Sequence, residues 1–207
     1  MRILDVTDDN ALGQAAAALR AGSLVVVPTD TVYGLAARPD IPDAVRRIYQ
    51  AKDRPAQLHL PVLAASRHQV RQLGVEFTEA ASTLANRWWP GPLTMAFGFA
   101  IDSSRPEWLE DREEVAVRIP SCAFLEALLD ITGVLLVTSA NRHGTPTPLS
   151  AHEAAASVSP HADLVIDGGT LHDLPSTLVN VHAAVPVVER AGTIGRDDIA
   201  AALAGAA

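Results

Sequence analysis

A run of four apolar residues, Leu24-Val25-Val26-Val27, closed by Pro28, constrains the fold more than any other feature of the chain. Its valines favour a strand, and the absence of alternating polar residues is typical of a strand covered on both faces. Because such a strand must lie between two other layers of structure, the run predicts a sheet flanked by helices.

The rest of the chain alternates between helical and strand patterns. Helices are predicted at about 11–21, 42–51, 67–73, 78–88, 123–130, 151–158 and 196–203. Further strands are predicted at about 61–65, 93–99, 115–119, 134–138, 164–166, 177–181 and 185–189. Several strands follow one another directly, which favours a sheet of mixed direction. We therefore expect residues 1–207 to form a single α/β domain, with a twisted sheet of parallel and antiparallel strands and flanking helices.

The composition allows a folded core and excludes several classes of protein. With 48% hydrophobic and 19% charged residues, the chain is not of the disordered type. Its net charge of −8 argues against a dedicated nucleic-acid binder, although it leaves room for a local basic groove. The single cysteine, Cys122, excludes a disulfide framework and a cysteine-based zinc site. A small buried hydrophobe is the favoured interpretation of Cys122, and a thiol with a lowered pKa at a helix start is the alternative.

Targeting signals and the commonest catalytic motifs are absent from the sequence. The N-terminus has no apolar signal region, and no apolar run approaches the length of a membrane span, so a soluble cytoplasmic protein is expected. The sequence contains no phosphate-binding P-loop, no dinucleotide-binding glycine motif, no serine hydrolase elbow and no zinc protease motif.

Polar loops follow several of the predicted strands, and strand ends are where α/β sheets bind ligands. Thr29, Asp30, Thr31 and Tyr33 lie directly after the first strand. They predict either the wall of a ligand site or a turn held by side-chain hydrogen bonds, and the pattern alone does not separate the two. The segment Ser139-Ala140-Asn141 follows a later strand, where its hydroxyl and amide groups could bind phosphate or ribose.

Lys52 and Arg54 lie two residues apart between a predicted helix and Pro55. On an extended strand both would point to one side and could hold a polyphosphate. The alternative is a solvated helix end, where cations offset the helix dipole. Lys52 is the single lysine among 16 basic residues, and we expect its side chain to be exposed. Lys52→Ala should then leave the chain folded.

Arg118 and Arg190 each interrupt or end an apolar strand. A cation on a buried strand is costly unless it meets an anion. The two residues therefore predict an anion-binding site, with an edge strand or an internal ion pair as the alternatives.

Six segments together resemble the YrdC-type threonylcarbamoyl-AMP synthases in their short, single-domain form. In chain order they are Pro28 to Leu35, Lys52-x-Arg54-Pro55, Trp89 to Thr94, Val115 to Pro120, Ser139-Ala140-Asn141 with Gly144, and Ser176-Thr177 with Arg190-x-Gly192. The resemblance runs from about residue 10 to residue 195. Each motif is weak alone, and their common order makes the resemblance specific.

The resemblance implies a YrdC-like fold with a concave ligand cavity and a nucleotidyltransferase activity. Such an enzyme makes L-threonylcarbamoyl-AMP from L-threonine, bicarbonate and ATP with Mg²⁺, and it releases pyrophosphate. The product serves the threonylcarbamoyl modification of adenosine 37 in tRNA, so tRNA or downstream tRNA-modification proteins are implied as partners. The reaction needs no covalent nucleophile, because positioning and electrostatics can carry it.

The resemblance also implies residue roles by position. The implied catalytic residues are Lys52, Arg54, Ser139 and Asn141. The implied nucleotide-binding residues are these four with Thr147 and Arg190. The implied threonine-binding residues are Thr31, Tyr33, Arg118 and Ser176, with Arg118 paired to the substrate carboxylate. No metal ligand is implied on the protein itself.

Four positions depart from the pattern of these synthases. They are Leu58 in place of a polar residue, His59 in place of proline, Glu114 in place of a frequent threonine, and Asn180 in place of aspartate. Two other functions stay open at this point. One is a non-catalytic module that binds double-stranded RNA, and the other is a paralogue that handles a carbamoyl-adenylate with another acceptor.

Overall fold

A computed structural model describes residues 1–171 and 174–205. In this part of the chain ten strands form one sheet: β1 (Arg2–Asp5), β2 (Val25–Val27), β3 (Gly34–Ala37), β4 (Val62–Leu63), β5 (Leu93–Gly98), β6 (Glu114–Arg118), β7 (Leu135–Ser139), β8 (Leu164–Asp167), β9 (Thr177–Asn180) and β10 (Val187–Arg190). Their order across the sheet is β1-β8-β2-β3-β7-β4-β6-β5-β9-β10. The pairs β1/β8, β8/β2, β4/β6 and β5/β9 are parallel, and the other neighbours are antiparallel. The prediction of a mixed sheet is confirmed.

Seven α-helices flank this sheet in the described residues. They are α1 (Ala11–Arg20), α2 (Pro42–Lys52), α3 (Arg67–Arg71), α4 (Glu79–Trp88), α5 (Ala123–Thr132), α6 (Ala151–Ser157) and α7 (Arg196–Ala204), with a 3₁₀ turn at Glu107–Leu109. All seven lie within a few residues of the segments that the apolar periodicity predicts. None of them is long and apolar enough to cross a lipid bilayer.

The first apolar strand, β2, is buried on both faces as predicted. Val26 and Leu24 belong to the larger hydrophobic cluster, to which helices α2, α3, α4, α6 and α7 contribute. Val25 and Val27 point to the opposite face and belong to a second cluster, which includes α1 and α5. Alternate residues of one strand thus stabilise two separate helical layers.

The sequence pattern does not predict two of the strands, β1 and β3. β1 is short, only partly buried, and pairs in parallel with β8, more than a hundred residues away. The residues of β3 are Gly34, Leu35, Ala36 and Ala37, a composition with weak strand propensity. β3 forms because β2 and β7 pair with it on both sides. A Cβ atom on Gly34 would lie 2.5 Å from Val137 Cγ1, so the close approach of β7 requires glycine there.

The layer formed by α1 and α5 covers only part of its face of the sheet. Its hydrophobic cluster includes side chains from β2, β3, β7 and β8 and Leu63 of β4, but none of its described members comes from β5, β6 or β9. On these three strands the side chains that face the same way include Leu178 and three residues that are small, polar or charged, Thr94, Ala116 and Arg118. The uncovered part of the face therefore leaves space above the sheet.

Candidate functional site

A cavity of about 300 Å³ lies above strands β5, β6 and β9. Its walls come from loops at the ends of several strands, which the mixed topology brings to one place although they are far apart in the sequence. Seven of the ten predicted site residues line it: Thr31, Arg54, Arg118, Ser139, Thr147, Ser176 and Arg190. The other three, Lys52, Asn141 and Tyr33, lie outside the lining.

Three guanidinium groups line the cavity, from Arg54, Arg118 and Arg190. No aspartate or glutamate is among the described residues of the lining, although the chain as a whole carries a charge of −8. Burial lowers the pKa of each of the three arginines, and the charge of Arg54 lowers the pKa of Arg190 further. The cavity therefore concentrates positive charge, and among the described residues Arg54 and Arg190 have no carboxylate within ion-pair distance, so an anion could neutralise them.

Arg118 is 5% exposed and forms an internal ion pair, one of the alternatives that the sequence leaves open. One terminal nitrogen donates to the Asp30 carboxylate, the other donates to Thr31 Oγ1 at 2.8 Å, and Nε donates to the carbonyl of Gly91 at 3.0 Å. The second carboxylate oxygen, Asp30 Oδ2, is buried and has no hydrogen-bond partner among the described residues. This pair fixes the orientation of a guanidinium at the floor of the cavity.

The loop between β2 and β3 combines the two structures that its polar residues predict. Thr29 Oγ1 accepts hydrogen bonds from the backbone N–H of Thr31 at 3.0 Å and of Val32 at 3.1 Å, and it donates to the Val32 carbonyl. The loop is thus a hydroxyl-stabilised turn. Thr29, Thr31 and Val32 also line the cavity, so the same turn forms one of its walls.

Ser176 and Thr94 form the wall on the side of β5 and β9. Their hydroxyl oxygens lie 2.7 Å apart, and a terminal nitrogen of Arg190 donates to Ser176 Oγ at 3.1 Å and to the Ser176 carbonyl at 2.9 Å. Thr94 is a site residue to which the sequence analysis assigns no role. The signal for it is present, because Thr94 is the polar position in the otherwise apolar strand β5.

Tyr33 is fully buried and is not among the residues that line the cavity. Its hydroxyl donates to the Gly169 carbonyl at 2.6 Å and accepts from the Gly168 N–H at 3.0 Å. Burial is the main cause that raises the pKa of Tyr33. The side chain therefore joins the β2–β3 loop to the end of β8.

Tyr33→Phe is expected to lower the free energy of unfolding by about 1 kcal/mol, because the part-buried hydrogen bonds of its hydroxyl to the Gly168 N–H and the Gly169 carbonyl are lost. Urea unfolding followed by circular dichroism measures the change. Tyr49→Phe is the matched control, since the Tyr49 hydroxyl makes only a long 3.4 Å contact to the Leu58 carbonyl. Equal stability of the two variants would contradict the assigned role of the Tyr33 hydroxyl.

The expectation that the Lys52 side chain is exposed is wrong, because only 2% of the residue is accessible to solvent. Its ammonium nitrogen lies 2.5 Å from the Ser139 carbonyl oxygen and within hydrogen-bond distance of the Asn141 carbonyl and side-chain oxygens. Burial, and then the charge of Arg54, lower the pKa of Lys52 to about 8. The premise that Lys52→Ala removes an exposed group is therefore wrong.

Of the four positions that depart from the synthase pattern, one lines the cavity and three lie outside its lining. His59 lines the cavity, and its pKa is lowered by burial and by the charge of Arg112. Asn180 donates to Glu189 at 2.9 Å and to Glu114 at 3.4 Å, and neither carboxylate is among the residues that line the cavity. Leu58 is 42% exposed.

The surroundings of Cys122 favour a small, partly buried hydrophobic residue over a thiol with a lowered pKa. It precedes α5 as the N-cap residue and is partly buried, with Sγ 3.7 Å from the Pro28 carbonyl oxygen. Burial raises the pKa of its thiol, the opposite of the activated cysteine that a helix start could produce.

The sequence matches a family model for Sua5, YciO and YrdC, described as "Telomere recombination", over residues 17–192. A threonylcarbamoyl-AMP synthase of Bacillus subtilis is 36% identical over 97% of this chain and 60% of its own length. A putative threonylcarbamoyl-AMP synthase of Mycobacterium tuberculosis is 33% identical over 91% of this chain and 87% of its own length.

The fold is similar to that of Pyrococcus abyssi Sua5, solved in complex with L-threonine. The TM-score is 0.87 at 34% identity, over 97% of this chain and 60% of the Sua5 chain. The chain thus spans about 60% of the length of the Bacillus and Pyrococcus proteins.

Proposed function

Because the chain belongs to the Sua5/YciO/YrdC family, we propose that it is a nucleotidyltransferase that makes L-threonylcarbamoyl-AMP from L-threonine, bicarbonate and ATP. The observation that carries the proposal is the cavity, in which Arg54, Arg118 and Arg190 meet without a lining carboxylate in an acidic protein. Each of the three reactants presents an anionic group at neutral pH, which for zwitterionic threonine is the carboxylate, and such a site gathers these groups.

The proposed chemistry requires no nucleophile from the protein. The amine of threonine adds to bicarbonate with loss of water, which gives an N-carboxy-threonine. A carbamate oxygen then attacks the α-phosphorus of ATP, the bond to the β-phosphate oxygen breaks, and pyrophosphate leaves. Guanidinium groups that are already held in place would stabilise the charge on the transferred and leaving phosphates.

We assign the nucleotide to Arg54, Ser139, Thr147 and Arg190, and threonine to Thr31, Arg118 and Ser176, with the hydrogen bonds between Arg190 and Ser176 at the boundary of the two subsites. The hydrogen bonds of Arg118 support this division, because Asp30 and Thr31 hold its guanidinium beside the hydroxyl groups. Arg118 would then bind the carboxylate of threonine with its remaining N–H groups. Tyr33 would not contact threonine itself. It would stabilise the turn that positions Thr31.

Mg²⁺ would enter with the phosphates of ATP as part of the substrate. The described residues contain no group of three or more histidine, cysteine, aspartate or glutamate side chains arranged to hold a metal ion. The cavity wall offers hydroxyl and guanidinium groups instead, and these suit the oxygens of a polyphosphate. The product would pass to proteins that modify adenosine 37 of tRNA.

The proposed activity is tested by pyrophosphate release from ATP. We expect release from the purified chain only when L-threonine, bicarbonate and Mg²⁺ are all present, and chromatography should detect threonylcarbamoyl-AMP. Omission of each component in turn is the control. ATP turnover that is indifferent to threonine would contradict the proposal in favour of another acceptor, and RNA binding without any turnover would favour a non-catalytic module.

A further inference from the structure

We propose that Lys52 is a positioning residue, which holds the segment Ser139 to Asn141 against the end of α2 and does not bind the phosphates. The part of this inference that concerns the nucleotide rests on the proposed function. The part that concerns the segment itself stands on the contacts of the side chain alone.

The hydrogen bonds of the ammonium group account for all of its donors. An ammonium group has three N–H bonds and no acceptor. Its three acceptors are the Ser139 carbonyl oxygen, the Asn141 carbonyl oxygen and Asn141 Oδ1. With its donors committed and its side chain 2% exposed, Lys52 has no N–H left for a phosphate, and it is absent from the cavity lining.

The backbone at Asp53 explains why Lys52 and Arg54 do not point to the same side. Lys52 is the last residue of α2, and Asp53 after it adopts a left-handed conformation with φ 47°. The alternation of an extended strand, on which a shared direction depends, is therefore broken between them. Lys52 turns into the protein, whereas Arg54 reaches the cavity and donates to the Leu58 carbonyl at 2.9 Å.

The contacts of Lys52 continue into the loop that follows β7. Asn141 Nδ2 donates to the Thr145 carbonyl at 2.6 Å, and the His143 N–H donates to the Lys52 carbonyl at 2.8 Å. The Ser139 carbonyl accepts a hydrogen bond from the Lys52 ammonium group. Ser139 is also the residue of this hydrogen-bond network that lines the cavity. Lys52 thereby connects the end of α2 to the position of a residue assigned to the nucleotide.

The local effect is tested by hydrogen exchange in Lys52→Met, with Arg54→Met as the matched control from the same motif. We expect amide exchange in residues 139–145 to accelerate about tenfold or more in Lys52→Met, while α5 keeps its wild-type rates. Arg54→Met should leave both regions unchanged. Unchanged exchange in 139–145 would overturn the proposal, and so would equal acceleration in α5, which indicates general destabilisation. Lys52→Gln, which keeps two N–H donors, serves if the methionine variant does not fold.

The role toward the nucleotide is tested by calorimetric binding of AMP and ATP to the full chain. Because Lys52 would act through Ser139, Lys52→Met should weaken AMP and ATP in the same proportion as Ser139→Ala does, with a loss of about tenfold for at least one ligand. Arg54→Met should weaken ATP more than AMP. A loss in Lys52→Met that is confined to ATP, while Ser139→Ala weakens both ligands, would overturn the proposal, because it would mean direct contact between Lys52 and the outer phosphates. Failure of the wild-type chain to bind either ligand would refute the proposed function, while the exchange result would still decide the role of Lys52 in the segment.

Discussion

Arg118→Met is expected to lower threonine-dependent pyrophosphate release by at least about a hundredfold and the free energy of unfolding by about 3–5 kcal/mol. The loss of activity follows from removal of the guanidinium that we assign to the threonine carboxylate. The loss of stability follows from the environment of Asp30, whose carboxylate stays largely buried when its ion-pair partner is removed. The carbonyl of Gly91 also loses its donor. Urea unfolding and the pyrophosphate assay measure the two effects separately.

The double variant Asp30→Asn, Arg118→Met separates stability from catalysis. Its amide carries no charge, so we expect it to recover a substantial part of the lost stability. It should recover none of the activity, since the guanidinium is still missing. A single Arg118→Met variant that is as stable as the wild type would show that the ion pair contributes nothing to folding. If the double variant recovered turnover, the role assigned to Arg118 in the reaction would be wrong.

Periodicity predicts the elements of this fold that are long or strongly apolar. The helices have an apolar period near 3.6 residues, and the strands β2, β5, β6, β7 and β9 are short apolar runs, most of them rich in valine or leucine. β3 has no such pattern, because it is a strand on account of its two neighbours. The same holds for β1, whose partner β8 lies near the other end of the chain.

Residue type and order predict which loops surround the cavity, but they do not predict the direction of each side chain. Arg118 is an example, because its partner Asp30 comes from a distant loop and the pairing exists only in the folded chain. Lys52 is another, since one left-handed residue after the helix turns it away from Arg54. At the ends of helices and strands, the direction of a side chain depends on hydrogen-bond acceptors from other parts of the fold. A single sequence does not show where these acceptors lie.

Gly192→Ala is expected to lower the free energy of unfolding by about 3 kcal/mol and pyrophosphate release by about a hundredfold. A Cβ atom at this position would lie 2.1 Å from the Pro175 carbonyl oxygen and 2.5 Å from the carbonyl carbon of Ser176. Both are backbone atoms, so a side-chain rotation cannot relieve the overlap and the segment before β9 must move. That movement would displace Ser176 from Thr94 and from Arg190, which are its partners in the cavity wall.

Gly13→Ala is the matched control, because it adds the same methyl group to the same chain without a steric conflict. Gly13 lies inside α1, and no atom comes within 4 Å of the added Cβ. The higher helix propensity of alanine should raise the free energy of unfolding by about 0.5–1 kcal/mol, with turnover unchanged. The two variants are therefore expected to change stability in opposite directions. If Gly192→Ala is as stable and active as Gly13→Ala, the backbone near Ser176 can move freely, and a rigid wall at this side of the cavity is not needed for the reaction.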